Sequence, residues 1–134
     1  MTVAPARSWA RTAAFLAAVV ASAVALFTPE APGPDLLDFR GADKVVHLGL
    51  FAVLAAATIW RFGREPRAVA ALLGYAGASE VVQALWIEGR SGDVVDLVAD
   101  VVGIALALSA SREWGRRRAG SVASTPLHDE GDET

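Results

Sequence analysis

The chain has 134 residues, of which 54% are hydrophobic, with a mean hydropathy of +0.41 and a net charge of −3. This length leaves room for one domain, and a soluble domain of this size would be less apolar. The absence of cysteine excludes disulfides, Cys-ligated zinc and thiol nucleophiles. The composition therefore indicates a protein embedded in a membrane.

Four apolar segments follow one another along the chain. The first, from Thr12 to Pro29, carries no charge and is long enough to cross a bilayer. A cleaved signal peptide is the competing interpretation, since Ala21-Ser22-Ala23 resembles a cleavage site, but three further apolar segments favour a retained helix. Those segments run over about 45–60, 68–87 and 93–111. The pattern predicts an all-α, polytopic membrane protein with a four-transmembrane-helix bundle.

The organisation predicted around these helices is simple. Residues 1–8 form an N-terminal extension, 9–111 the membrane domain, and 112–134 a basic and then acidic tail that we expect to be disordered. Two small-x-x-x-small pairs, Gly74/Ala78 and Gly103/Ala107, are candidates for close helix packing, although alanine is common throughout this chain.

The positive charges predict an orientation. They precede the first helix, fill the link between the second and third, and follow the fourth: Arg7, Arg11, Arg61, Arg64, Arg67, Arg112, Arg116, Arg117 and Arg118. With four crossings they fall on one side, which the positive-inside rule makes cytoplasmic. Both termini are then predicted to be cytoplasmic. The four tryptophans lie near predicted helix ends, where indole rings prefer the membrane interface.

Polar residues gather toward the opposite side. They lie one or two helical turns apart on three of the helices: Asp43 and His47, then Glu80 and Gln83, then Asp93, Asp96 and Asp100. An ionised side chain near the bilayer centre costs roughly 2.5–3.5 kcal/mol even on the lenient insertion scale. Side chains whose burial in lipid costs this much free energy usually face one another or water. The pattern predicts a polar site between helices, with Arg90 in the turn above it.

Several of these residues also have ordinary structural explanations. Asp93 lies where a helix N-cap is expected, and Asp43 lies where an acid in the first turn would interact with the helix dipole. His47, considered by itself, is explained as a histidine at the membrane interface. Lys44, adjacent to Asp43, is expected to point elsewhere, toward a phosphate headgroup or a carboxylate of another helix. Glu80 and Asp100 resist such explanations, because they lie about two turns from their helix ends and acidic side chains are short.

The motifs resemble those of the VanZ-like family of small bacterial membrane proteins. The resemblance covers about residues 40–110 and rests on the segments 43–47 (DKVVH), 80–83 (EVVQ) and 89–103 (GRSGDVVDLVADVVG) in this order. The family usually has asparagine where this chain has Asp100. Its namesake is associated with low-level resistance to teicoplanin, so the resemblance implies a role in the cell envelope, without a reaction that can be transferred.

The residues leave three classes of function open. An enzyme or binder at the outer leaflet would use Glu80, His47 and Asp96 as catalytic groups, the first two as an acid–base pair. Lys44 and Arg90 would hold a phosphate or another anion of a lipid-linked or cell-wall precursor. A non-catalytic membrane module would use the ionic cluster to fix helix register. Proton or ion transport is disfavoured, because the inner halves of the helices lack ionisable residues.

The binding residues predicted for the site are Asp43, Lys44, Gln83, Arg90, Asp93 and Asp100.

The remaining expectations are negative. Oxygen and imidazole ligands for a divalent cation are available from Asp43, Glu80, Asp93, Asp96 and His47. Their spacing matches no known metal signature, so no metal or cofactor is predicted. Nucleic-acid binding is not expected, since the arginine clusters are explained as topology signals beside anionic lipid.

Overall fold

The computed structural model describes residues 5–29, 41–87 and 92–123, with side chains described for 8–29, 41–87 and 92–117. These residues form four helices and no strand: α1 (Pro5–Phe27), α2 (Ala42–Phe62), α3 (Pro66–Trp86) and α4 (Val94–Ala123). Each contains a stretch long and apolar enough to cross a membrane. The 21 residues of α2 extend about 31 Å, close to the thickness of a hydrocarbon core. The all-α, four-span prediction is confirmed.

The link between α2 and α3 is short because its residues end one helix and start the next. Gly63 follows α2 with φ 75°, a conformation that glycine adopts without steric cost, and its N–H donates to the Ile59 carbonyl at 2.8 Å. Pro66 then begins α3, where a missing N–H costs nothing. Such a tight connection makes α2 and α3 antiparallel neighbours.

The fourth helix is longer than the sequence pattern predicts. It continues past Ser111 to Ala123, so residues 112–123 of the expected disordered tail are helical, while 124–134 lie outside the described residues. The apolar run ends near Ser111, but arginine, glutamate and alanine propagate an existing helix well. The sequence prediction therefore mistook the end of the apolar segment for the end of the helix.

The interior of the bundle is a narrow apolar layer, and the outer surface is apolar as well. The buried core consists of small and large side chains from all four helices: Leu26, Phe51, Leu54, Ala55, Leu72, Ala76 and Ile104. Many valines and leucines are exposed on the outside, among them Val20, Val53, Val81 and Val98. A continuous exposed apolar surface of this kind indicates contact with lipid.

Helices α2 and α4 share the most extensive contact in the bundle. Gly103 makes this possible, since a Cβ there would collide with the Leu48 carbonyl oxygen and lie 3.0 Å from the Ala52 nitrogen. A Cβ on Gly74 would meet nothing within 4 Å. The small-residue prediction is therefore confirmed for Gly103, and at Gly74 no close helix approach is found.

The two ends of the bundle differ in charge. Arg61 donates to Thr12 at 2.9 Å and Arg64 donates to Ser111 at 3.0 Å, so the arginine-rich link lies beside the start of α1 and the later part of α4. The acidic residues lie at the opposite end, where α2 and α4 begin and α3 finishes. The helices therefore alternate in direction, as predicted. Which end is cytoplasmic stays a prediction.

We expect Gly103→Ala to destabilise the bundle by about 1–3 kcal/mol, because the added methyl group meets α2 backbone that cannot move aside cheaply. Gly74→Ala is the matched control; it adds the same methyl group in open space and should stay within about 1 kcal/mol of the wild type. Unfolding in detergent micelles, followed by circular dichroism, measures both. Equal stability of the two variants would contradict the close contact.

Candidate functional site

Three helices each contribute one buried ionisable side chain to a single cluster. His47 lies on α2, Glu80 on α3 and Asp100 on α4, and their relative exposures are 3%, 7% and 0%. The His47 Nδ1 atom is 2.9 Å from Asp100 Oδ1 and 3.6 Å from Glu80 Oε1. We call these residues the buried triad. The histidine and the acids meet in one place, as the sequence predicts.

The shorter contact of His47 was not foreseen. The sequence suggested Glu80 as its partner, but the hydrogen-bonding distance is to Asp100. The reason is geometric. Asp100 lies one turn from Gly103 on the same face of α4, and the close approach of α4 to α2 at Gly103 brings Asp100 against His47.

Glu80 is held in place from the chain segment that precedes α4. Its Oε2 atom accepts a hydrogen bond from the Asp93 backbone N–H at 2.9 Å. Gly92 permits this approach, since a Cβ there would collide with the Glu80 carbonyl oxygen and the Ala84 side chain. The carboxylate is therefore fixed with its other oxygen, Oε1, toward His47.

Two oxygens of the buried triad have no hydrogen-bond partner among the described residues. They are Glu80 Oε1 and Asp100 Oδ2, and both are shielded from solvent. Leaving a charged or polar oxygen buried without a partner costs at least about 1–3 kcal/mol. Such an arrangement is unfavourable for stability alone, which points to a role for these oxygens beyond packing.

A second layer of charge lies one turn nearer the helix starts. Lys44 Nζ is 3.0 Å from Asp43 Oδ2, 3.1 Å from Asp96 Oδ1 and 3.5 Å from Asp93 Oδ2. The prediction that Lys44 meets a carboxylate of another helix is confirmed. The prediction that it turns away from Asp43 is wrong, because the long lysine side chain curls back to reach its neighbour as well as α4.

The ordinary structural explanations for two acids also hold. Asp93 directly precedes α4, and its Oδ1 atom accepts the Val95 N–H at 2.9 Å, as an N-cap does. Asp43 lies in the first turn of α2, where a negative charge is favourable beside the helix dipole. Each acid thus contributes to its own helix and to the ion pairs of Lys44.

Of the other two predicted binding residues, the structure describes only Gln83. Gln83 is buried, but its side-chain amide donates to the Leu26 carbonyl near the end of α1 at 3.0 Å. It ties α3 to α1 instead of joining the ion pairs, and its proposed role in binding stays a prediction. Arg90 lies outside the described residues, so its predicted position above the site is not addressed by the structure.

The described part of the site is strongly acidic. Carboxylates outnumber cationic groups: Asp43, Glu80, Asp93, Asp96 and Asp100 stand against Lys44 and His47. Lys44 is already engaged by three of the acids, which weakens the prediction that it holds a phosphate on its own. An excess of negative charge at a membrane surface attracts cations.

The side-chain nitrogen and oxygen atoms of the buried triad can bind either a metal ion or a proton. His47, Glu80 and Asp100 each offer one ligand atom, and these atoms lie within 4.8 Å of one another. The same groups are suited to acid–base catalysis, since an imidazole beside a carboxylate transfers protons readily. The cluster is therefore the candidate functional site among the described residues.

A separate cavity of about 450 Å³ lies between α1, α2 and α3. Its walls are almost wholly apolar, for example Phe15, Leu54 and Leu72, and they include none of the clustered acids. We therefore assign the candidate site to the polar cluster and not to this apolar cavity.

One polar contact in the bundle interior escaped the sequence analysis. The Ser22 hydroxyl lies 3.3 Å from the Tyr75 hydroxyl, so α1 and α3 share a hydrogen bond within the apolar layer. A serine inside a charge-free span and the only tyrosine of the chain were the available signals. Neither predicts a pairing without the helix arrangement.

Comparisons with known protein families, curated proteins and solved structures find no match to this chain.

We expect Lys44→Met to lower the melting temperature of the protein, because it leaves the buried Asp96 carboxylate without its cation. Adding Asp96→Asn to Lys44→Met should restore part of the loss, since the unpaired charge is then removed. A double-mutant cycle on thermal unfolding in detergent measures this coupling. Strictly additive effects would show that the two side chains do not interact.

Proposed function

We propose that this chain is a VanZ-like integral membrane protein whose polar cluster binds, or acts on, a cell-envelope or lipid-linked component at the outer leaflet. The observation that carries the proposal is the meeting of His47, Glu80 and Asp100 from three separate helices near one end of the bundle. Burying such groups costs several kcal/mol for each ion, so a function that needs them is the simplest reason for their presence.

The placement of the cluster supports a substrate at the membrane surface. Asp43, Asp93 and Lys44 are partly exposed at the same end and lead inward to the buried triad. The arginines occupy the other end, which the positive-inside rule assigns to the cytoplasm. A ligand approaching the acidic end would therefore come from the outer leaflet of a bacterial plasma membrane.

In an enzymatic version of this function, Glu80 and His47 exchange a proton with the substrate. Glu80 Oε1 and His47 Nδ1 are 3.6 Å apart, close enough for one small movement or one water to connect them. Asp96, also predicted as catalytic, is paired with Lys44 at the entrance, where it would hold that cation in place.

A second candidate is a non-catalytic membrane module that shields or assembles with an envelope component. The contact that favours it is the hydrogen bond from the Asp93 N–H to Glu80, which joins α3 to the start of α4. Gln83 joins α3 to α1 in the same way. In this version the ionic cluster fixes how the helices pack.

The predicted topology is tested with single cysteines, since the chain has none of its own. In intact cells, a membrane-impermeant thiol reagent should label Ser91→Cys, in the α3–α4 loop, and should leave Ser124→Cys, beyond α4, unlabelled until the membrane is broken. The reverse pattern would place the acidic cluster on the cytoplasmic side and overturn the outer-leaflet proposal.

We expect Glu80→Gln to abolish the effect of this protein on the envelope, because glutamine keeps an acceptor for the Asp93 N–H but cannot exchange a proton. The matched control is Glu65→Gln, which removes the same charge at the arginine end, where Glu65 makes no side-chain capping bond. Teicoplanin susceptibility and the amounts of lipid-linked cell-wall precursors are compared at equal protein levels in the membrane.

The outcomes separate the two candidates. Loss in Glu80→Gln, with a melting temperature like that of the wild type, supports an enzyme or a charge-dependent binder. Full function in Glu80→Gln and in a neutral His47→Gln/Asp100→Asn variant would contradict that reading and favour the structural module. An identical loss in Glu65→Gln would show that the effect does not depend on the cluster.

A further inference from the structure

The buried triad holds more negative charge than its own imidazole can balance. Two carboxylates, Glu80 and Asp100, face one histidine within the membrane-spanning part of the bundle. Lys44 does not relieve them, because its ammonium group contacts Asp43, Asp93 and Asp96 instead. A group that supplies positive charge to both carboxylates at once would remove most of this cost.

The unpartnered oxygens show where that charge is needed. Glu80 Oε1 and Asp100 Oδ2 are buried and lack hydrogen-bond partners in the parts of the chain that the structure describes. Glu80 is about nine-tenths buried and Asp100 fully so. Buried polar groups in native proteins are normally satisfied, so two such oxygens beside one imidazole point to a ligand with positive charge.

We propose that His47, Glu80 and Asp100 form a binding site for one divalent metal ion. Metal ions of the Zn²⁺ and Mn²⁺ class bind imidazole nitrogen and carboxylate oxygen at about 2.0–2.2 Å. Ligand atoms around such an ion lie about 3.0–3.5 Å apart, whether its geometry is tetrahedral or octahedral. His47 Nδ1 lies 2.9 Å from Asp100 Oδ1 and 3.6 Å from Glu80 Oε1, close to this spacing. One ligand atom from each of the three residues lies within 4.8 Å of the others, so the two carboxylates would draw together around a bound ion, and Asp100 could bind it through either oxygen.

The donor set favours a transition metal over Mg²⁺ or Ca²⁺. Those two ions prefer oxygen ligands alone, whereas an imidazole with two carboxylates suits Zn²⁺ and neighbouring ions. Bound to a neutral imidazole and two carboxylates, a divalent ion makes the buried triad neutral overall. An ion on Nδ1 takes the place of the proton between His47 and Asp100, and that proton is released to solvent.

The surroundings of the buried triad are those of a metal site. The Asp93 N–H holds Glu80 Oε2, which orients the carboxylate as hydrogen bonds around metal ligands do. Asp43, Asp93 and Asp96 lie around Lys44, one turn nearer the end of the bundle, and these three acids share a single lysine. Their excess negative charge raises the local concentration of cations. Three protein ligands leave at least one coordination position for water or for an oxygen of a substrate.

The test uses the full-length protein in detergent or nanodiscs and the metals alone, so it does not depend on any envelope substrate. After treatment with a chelator, the protein is titrated with Zn²⁺, Mn²⁺ and Mg²⁺, and bound metal is counted by elemental analysis. We expect one Zn²⁺ or Mn²⁺ per chain, weaker binding of Mg²⁺, and a higher melting temperature with the ion bound.

Variants locate the site. Asp100→Asn and Glu80→Gln should each weaken binding by more than about tenfold and lose the metal-dependent rise in melting temperature. Glu65→Gln removes an acid from the opposite end of the bundle and should bind as the wild type does. If Asp100→Asn does not fold, Glu80→Gln decides, because its amide oxygen still accepts the Asp93 N–H.

Two results would overturn the proposal. One is a wild-type protein that takes up no stoichiometric Zn²⁺ or Mn²⁺. The other is uptake that both Asp100→Asn and Glu80→Gln retain, since the ion would then lie elsewhere on the acidic surface. Either result leaves the proposed envelope function open to its own test, in which Glu80 acts by proton exchange or by packing.

Discussion

The burial of two carboxylates and one imidazole side by side constrains how the helices of this bundle pack. In a bilayer, neither lipid nor adjacent apolar side chains can solvate them, so His47, Glu80 and Asp100 must find one another. Their contacts require α2, α3 and α4 to converge at one end of the bundle. The packing beneath the buried triad is arranged around that convergence.

The buried faces of the helices show how this is achieved. On α2 the stripe runs from His47 through Phe51, Leu54 and Ala55 to Thr58, and α3 has a matching stripe of Leu72, Ala76, Ser79, Glu80 and Gln83. Each stripe is polar at the acidic end and mainly apolar below it, at the spacing of one helical face. The same surface that forms the core therefore also carries the polar cluster. A change in helix rotation would disturb both.

The two ends of the bundle carry different side chains, arginines at one end and acids at the other. At one end, Arg61 and Arg64 contact Thr12 and Ser111 near the surface, as expected for residues that fix orientation and anchor the interface. At the other, the acids form two layers, an outer one around Lys44 and an inner one around His47. Every acid of the outer layer has an ion pair with Lys44, whereas the inner layer leaves Glu80 Oε1 and Asp100 Oδ2 without a hydrogen-bond partner among the described residues. This difference is why the inner layer is the better candidate for binding a cation or exchanging protons.

The number of helices, their alternation and the gathering of polar residues at one end could all be predicted from the amino-acid sequence. These features follow from the hydropathy of each segment and from helical periodicity, which are local properties of the chain. The sequence also predicted the cap formed by Asp93 and the first-turn position of Asp43, because capping depends only on nearby residues. The extent of α4 was missed, since helix propagation does not stop where apolar character does.

Which polar groups meet could not be predicted from the sequence and depends on how the helices pack. Helical spacing placed Glu80, His47 and Asp100 toward the same end of their helices, but it gave no distance between helices and no rotation of one helix against another. The close approach at Gly103 selected Asp100 as the partner of His47, and the long side chain of Lys44 joined three acids at once. Gln83 turned out to contact the α1 backbone. Pairing between helices depends on how their backbones fit together, and that fit is a property of the whole bundle.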